Sequence, residues 1–344
     1  MAKKTVYVVG AGASYEVDLP VGNALKTDIS RILHMQFEYG SFKDGNYDLY
    51  QAFMRHTGNN TNETNEYLQA CRHIKNSMPL AISIDNFIDS DRGNEKLALC
   101  GKLAIVEAIL KAERRSKIYS DRYQEKINFQ ALENTWYLPF FRTLTENCRH
   151  NELPERFKCI TLVIFNYDRC IEHFLHQALK TYYGLSDADS ASIIGNLTII
   201  HPYGTVGSLS WQEQASSTLK EYGGEIQTQQ LIQYAQRIRT FTEGAHSEPI
   251  ERLKSNMKSA ERIVFLGFAF HRLNMDLLSL SDVKQYENSS EIDCYATAYE
   301  TSKSDQDSIC SSISHLYKGK LNIYIENMTC AQLFRDYSRS LGYS

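Results

Sequence analysis

The stretch VYVVGAGASYEVDLP, residues 6–20, decides the fold. Val6 to Val9 is a short β-branched run bounded by glycine, which reads as a buried strand. Gly10 and Gly12 then allow a sharp turn and bring bare backbone close to whatever lies opposite. A helix beginning soon afterwards would set the positive end of its dipole beside that turn, so a phosphate is a natural guest. The dinucleotide fingerprint G-x-G-x-x-G would want a third glycine at position 15, where the chain has Tyr15. No acidic residue closes an obvious second strand ~20 positions on, where a ribose would be held. Alone, the motif fits a phosphate loop and a plain strand-to-helix turn equally well.

Five more apolar runs read as buried strands: Cys159 to Phe165, Leu197 to Ile200, Ile263 to Gly267, Ile292 to Tyr299 and Leu321 to Ile325. Most are continuous rather than alternating, the pattern of a parallel sheet covered on both faces. Helical periodicity separates them, over 168–183, 228–242, 250–260, 304–317 and 330–341. Strand and helix take turns, which predicts an α/β fold with a Rossmann-like, doubly wound parallel sheet. Between about 22 and 156 no good strand appears, and helical patterns cover 25–35, 96–114 and 129–148. The expected division is a core of residues 1–22 and 157–344 with a large helical insertion, 23–156, after the first strand. The polar stretch GNNTNETNE, 58–66, reads as a mobile loop within it.

Composition bounds the function. Lys plus Arg number 37 against 41 Asp plus Glu in 344 residues, a net charge of −4 that leaves no basic excess for direct nucleic-acid binding. The N-terminus runs straight into a strand without a secretory h-region, and no 18-residue apolar run follows, so a cytoplasmic protein with no membrane association is expected. Eight cysteines without a C-x-x-C pair give neither a zinc ribbon nor a disulfide framework, and no metal site is expected.

Ligands of open parallel sheets sit beyond the carboxyl ends of the strands. There the chain carries Gly10, Gly12 and Ser14 after the first strand, Asn166 and Asp168 (FNYDRCIEHF) after the second, His201, Gly204 and Thr205 (IIHPYGTVGS) after the third, and Gly267 and His271 (FLGFAFHRLN) after the fourth. Each has a plainer reading. Asn166 and Asp168 fit an Asx turn or helix cap, His201 a satisfied histidine at a turn, and Gly267 close packing.

Their order, GAGAS with Pro20, then FNYD, then His201 and Gly204, then LGF, resembles the sirtuin-like fold, and its divergent prokaryotic branch more closely than the protein deacylases. The resemblance covers roughly residues 5–22 and 158–300, and SIDNFID at 83–89 is similar to a segment of that branch. It implies that Gly10, Ala11, Gly12, Ala13 and Ser14 receive the pyrophosphate and ribose of NAD+, with Pro20 beyond them. Asp168 would face the nicotinamide carboxamide, and Asn166 the nicotinamide ribose or the attacking water. His201 would be the general base, Gly204 and Thr205 would follow it at the site, Gly267 and Phe268 would lie against the adenosine ribose, and His271 would be a further cofactor-binding residue. Asn166 and His201 are thus the expected catalytic pair.

The chain also departs from the family. It lacks the zinc ribbon of the deacylases, Val21-Gly22-Asn23 replaces the usual acidic-aromatic-arginine sequence after the proline, and Pro202-Tyr203 separates His201 from its glycine. The resemblance therefore implies an NAD+ glycohydrolase that releases nicotinamide and ADP-ribose, depleting NAD+ in antiphage defence by abortive infection, with no metal required. Control would lie in homo-oligomerisation or in a separately encoded partner such as a HerA-like ATPase or an argonaute-like protein. A non-catalytic NAD or ADP-ribose-binding regulatory subunit remains open, as does a protein deacylase or ADP-ribosyltransferase.

Overall fold

The apolar runs form strands within a residue or two of where the sequence sets them, because each is a short apolar run bounded by turn or polar residues. The computed structural model describes residues 3–120, 127–212, 220–225, 227–240, 243, 248–280, 291–317 and 319–343. Among these the strands are β1 (Thr5–Val9), β2 (Met35–Glu38), β3 (Ser41–Gly45), β4 (Ile160–Ile164), β5 (Thr198–Ile200), β6 (Arg262–Leu266), β7 (Ile292–Thr297) and β8 (Leu321–Glu326). Six of them make one parallel sheet in the order β5-β4-β1-β6-β7-β8. Counted along the chain within the sheet, that order is 3-2-1-4-5-6, the Rossmann arrangement, and its direction reverses between β1 and β6. The central strands β1, β4 and β6 are buried at every position, whereas the edge strand β8 alternates toward solvent.

The chain divides into two compact units, one of residues 1–18, 116–202 and 244–344 and the other of 19–115 and 203–243. Residues 116–156 lie in the first of these, and residues 19–22 and 203–243 in the second. Aromatic packing explains the first: Trp136 and Phe140 lie against Phe334 at ring separations of 5.9 and 5.8 Å, and Phe140 meets Tyr7 of β1 edge-on at 5.2 Å. At the far side of β1 the guanidinium of Arg262, 1% exposed, donates from Nε to Thr5 Oγ1 at 3.1 Å and from Nη1 to the Ser340 and Gly342 carbonyls. It also lies 5.0 Å from the Tyr343 ring, fastening the C-terminal segment to the sheet.

The second unit is built around the helix Glu95–Arg115, whose buried face includes Leu97, Leu103, Val106 and Leu110. Two expectations fail in this unit. First, the interval contains strands: β2 and β3 pair antiparallel across Tyr39 and Gly40, both at positive φ, and Phe37 meets Phe42 edge-on at 5.6 Å. The hairpin is short and only half-buried, so it has no continuous apolar run to announce it. Second, most of the Asn/Thr-rich stretch is helix, Thr61–Ser77, begun by Asn60, whose side chain accepts from the Asn62 and Glu63 amides. The expected helix over 228–242 appears as a 3-10 turn, Thr228–Gln230, and the helix Leu231–Ala235, and positions 241 and 242 lie outside the described residues.

Candidate functional site

In the 3-2-1-4-5-6 sheet the crevice falls at the carboxyl ends of β1 and β6, and there the chain brings three glycines into contact. The Gly12 N–H donates to the Gly267 carbonyl at 3.0 Å, and the Gly10 N–H to the Leu266 carbonyl at 2.9 Å. A Cβ on Gly10 would lie 2.5 Å from the Gly267 oxygen, and one on Gly267, at φ +53°, would lie 2.1 Å from the Ala13 nitrogen. These glycines let two strand ends touch backbone to backbone. Gly267 serves this close packing, and the amides of Gly10 and Gly12, expected to face a pyrophosphate, donate to the Leu266 and Gly267 carbonyls. Ala11 is exposed, while Ala13 is buried with its carbonyl accepting from Trp136 Nε1 at 2.9 Å.

Beside the glycines, three polar side chains close on one another across β1 and β4. Asn166 Nδ2 donates to the Gly10 carbonyl and to Ser14 Oγ, both at 3.0 Å. A carbonyl can only accept, so the amide nitrogen is the atom facing Gly10, and Asn166 Oδ1 is left as an acceptor. Ser14 Oγ in turn donates to Asp168 Oδ2 at 2.9 Å, and the Cys170 N–H donates to Asp168 Oδ1 at 3.1 Å. Asp168 therefore makes an Asx turn leading into the helix Cys170–Tyr183, whose N-cap position is Arg169, and also joins the network. Asn166, Ser14 and Asp168 are 8, 2 and 4% exposed, so their geometry is set before any ligand arrives.

His201, at the end of β5, is held on both sides. Its Nδ1 lies 3.2 Å from the Asn166 carbonyl and its Nε2 lies 2.7 Å from Glu172 Oε1. The expected general base thus presents neither nitrogen as a free lone pair. Burial alone would lower its pKa, but the charge and hydrogen bond of Glu172, the Asn166 carbonyl and Asp168 together hold it above the ordinary histidine value. Glu172, which the sequence reading did not single out, is the acid that holds His201. The available signal was an acid on the inner face of the helix, in CIEHFLHQAL, four residues after Asp168 and flanked by buried Ile171, Phe174 and Leu175.

The remaining expected residues are dispersed. Phe268 is 5% exposed and packs its ring on Phe165 and Phe270 at 5.1 and 5.2 Å. His271 is exposed at the start of the helix Arg272–Leu278. Pro20, Gly204 and Thr205 belong to the other unit, where a Cβ on Gly204 would lie 2.0 Å from the Arg237 carbonyl oxygen and Thr205 Oγ1 donates to the Gly207 carbonyl. Among the described residues no group of three or more His, Cys, Asp or Glu side chains is placed to hold a metal, and no helix is long and apolar enough to cross a membrane.

No protein-family model matches the chain, and no curated protein does. Among solved structures it is similar to the crystal structure of a Sir2 homolog–NAD complex, at 10% identity and a TM-score of 0.40, over 98% of this chain and 90% of that one.

Proposed function

We propose that the chain binds NAD+ at the reversal point of its sheet and hydrolyses the bond between nicotinamide and ribose. One observation carries the reading: the Asn166 amide, the Ser14 hydroxyl and the Asp168 carboxylate are joined, buried and oriented at the carboxyl ends of adjacent strands, beside the glycine contact. The chemistry asks little of a base. Nicotinamide N1 leaves with the bonding pair, the ring turning from a pyridinium cation to a neutral pyridine, so nothing has to protonate it. The ribose C1′ passes through an oxocarbenium-like state, which a nearby carboxylate stabilises and water captures. Asn166 Oδ1 accepts from that water or from a ribose hydroxyl, and the water's second proton passes to solvent, giving ADP-ribose, nicotinamide and a proton. His201 then acts as a support for Asn166 rather than as the base.

Such an enzyme must be restrained in a healthy cell. Restraint by self-association or by a separately encoded partner such as a HerA-like ATPase, in a cytoplasmic antiphage role, extends the same reading. Following nicotinamide release from NAD+, with the protein alone and with its partner, tests it. Asn166→Ala and Asp168→Ala are each expected to lower turnover ~10²-fold or more. A second reading is favoured by the mutual satisfaction of these side chains, which suits a nucleotide-binding module without turnover. Tight nucleotide binding with no nicotinamide released under any condition selects it and ends the hydrolase reading.

A further inference from the structure

Glu172 is a costly residue to place where it lies. It is 2% exposed on a helix buried nearly all round, with Leu175, His176 and Arg169 about a turn away on its own face, and an apolar side chain of its size would avoid the cost of desolvating a carboxylate there. A buried ion pair adds little net stability over such a replacement, because desolvation of both charges offsets their attraction. Moreover, among the described residues its Oε2 has no hydrogen-bond partner, so only half of the carboxylate is compensated. What the compensated half touches gives the reason. Both atoms facing the His201 ring, a carboxylate oxygen at 2.7 Å and a main-chain carbonyl oxygen at 3.2 Å, are acceptors. A neutral imidazole has one N–H and satisfies only one of them; an imidazolium satisfies both.

We propose that Glu172 is a positioning residue that keeps His201 doubly protonated, so that the Nδ1–H clamps the Asn166 main chain and fixes the direction of its side-chain amide. The connection is continuous: Glu172 to His201, His201 to the Asn166 carbonyl, and the Asn166 amide to Gly10 and Ser14, with Ser14 bonded to Asp168. The raised pKa of His201 agrees with the geometry, since Glu172 and Asp168 are the charges that act on it. The neighbouring His173 and His176 on the same helix are pushed down by burial, so neither competes for the Glu172 charge as a cation. Arg169, buried at the start of that helix, and Lys180 in its last turn are the cations that act on His173. The consequence for turnover rests on the hydrolase reading; the charge state of His201 does not.

The test uses the full chain with 15N-labelled histidine, His201 being assigned by its loss in His201→Gln. In the wild type both His201 nitrogens are expected to be protonated at pH 7, losing a proton only above the ordinary histidine value. Glu172→Gln can still bond Nε2 as donor or acceptor, yet it removes the charge, so a neutral His201 is free to lose the Nδ1–H that holds the Asn166 carbonyl. It should move the His201 titration down by one pH unit or more. It should also lower nicotinamide release ~10-fold with KM unchanged, and carry the alkaline limb of the pH–rate profile down with it. Glu172→Asp, which keeps the charge, should restore part of both. A neutral His201 in the wild type at pH 7, or a titration that Glu172→Gln leaves in place, overturns the proposal without needing any variant's activity. If the wild type releases no nicotinamide, the hydrolase reading fails and the titration alone decides the role of Glu172.

Discussion

At Gly267 two constraints coincide. The φ of +53° is one that L side chains rarely adopt, and a Cβ would lie 2.1 Å from the Ala13 nitrogen and 2.3 Å from the Gly12 carbonyl carbon, both main-chain atoms that cannot swing aside. Gly184, ending the helix Cys170–Tyr183 at φ +67°, has the first constraint without the second, since nothing lies within 4 Å of its Cβ position. Gly184→Ala should therefore cost only the left-handed penalty of ~1 kcal/mol. Gly267→Ala should cost ~3 kcal/mol or more, because strain and overlap add. Urea denaturation of the two variants makes the comparison, and equal losses would mean the glycine contact is not needed. The glycines of GAGAS were legible as a place of close approach. What approaches them, Gly267 from β6, was not, because it comes from some 250 residues further along the chain. His201 was legible as a polar residue at a strand end for the same local reason, while its Glu172 partner was not, because that pairing is visible only once helix and strand are packed.

Whole elements were read more securely than their contacts. The six core strands declare themselves because a continuous apolar run bounded by glycine or polar residues has few other uses. The hairpin of β2 and β3 and the helix Thr61–Ser77 do not, for opposite reasons. The hairpin buries too little to leave a pattern, while in the helix the Asn and Thr residues that signal a loop by composition include the one that caps it. That function of Asn60 is measurable. Its side chain accepts from two amides of the first turn at 3.1 and 3.3 Å, so Asn60→Ala should cost ~1 kcal/mol and Asn60→Gly only a few tenths. If the two substitutions prove equally mild, the stretch is the loop that its composition implies.

At the scale of the whole molecule, pH dependence gathers these local effects with opposite signs. His173 is buried on the helix Cys170–Tyr183, and its Nε2 lies 3.1 Å from the Ile118 carbonyl. Burial, assisted by Arg169, pushes its pKa down from 6.5 to about 3. In the unfolded chain the same side chain takes a proton as pH falls below 6.5, and the folded chain does not follow until about 3. Stability from this group is therefore complete above 6.5 and falls by ~1.4 kcal/mol per pH unit below it, or ~2 kcal/mol by pH 5. His201 has the reverse sign, because its folded value is raised: its contribution is complete below the unfolded value and is lost as pH rises through the folded one. Burial likewise pushes the phenols of Tyr7, Tyr137 and Tyr343 up, so the stability that they hold is lost on the alkaline side. The acid side can be isolated by His173→Gln, whose amide can still donate to the Ile118 carbonyl but cannot take up a proton. Urea unfolding at pH 7.5 and pH 5 should show the wild type losing ~2 kcal/mol more than the variant between the two conditions. An equal loss in both would assign the acid limb to other groups and remove His173 from it.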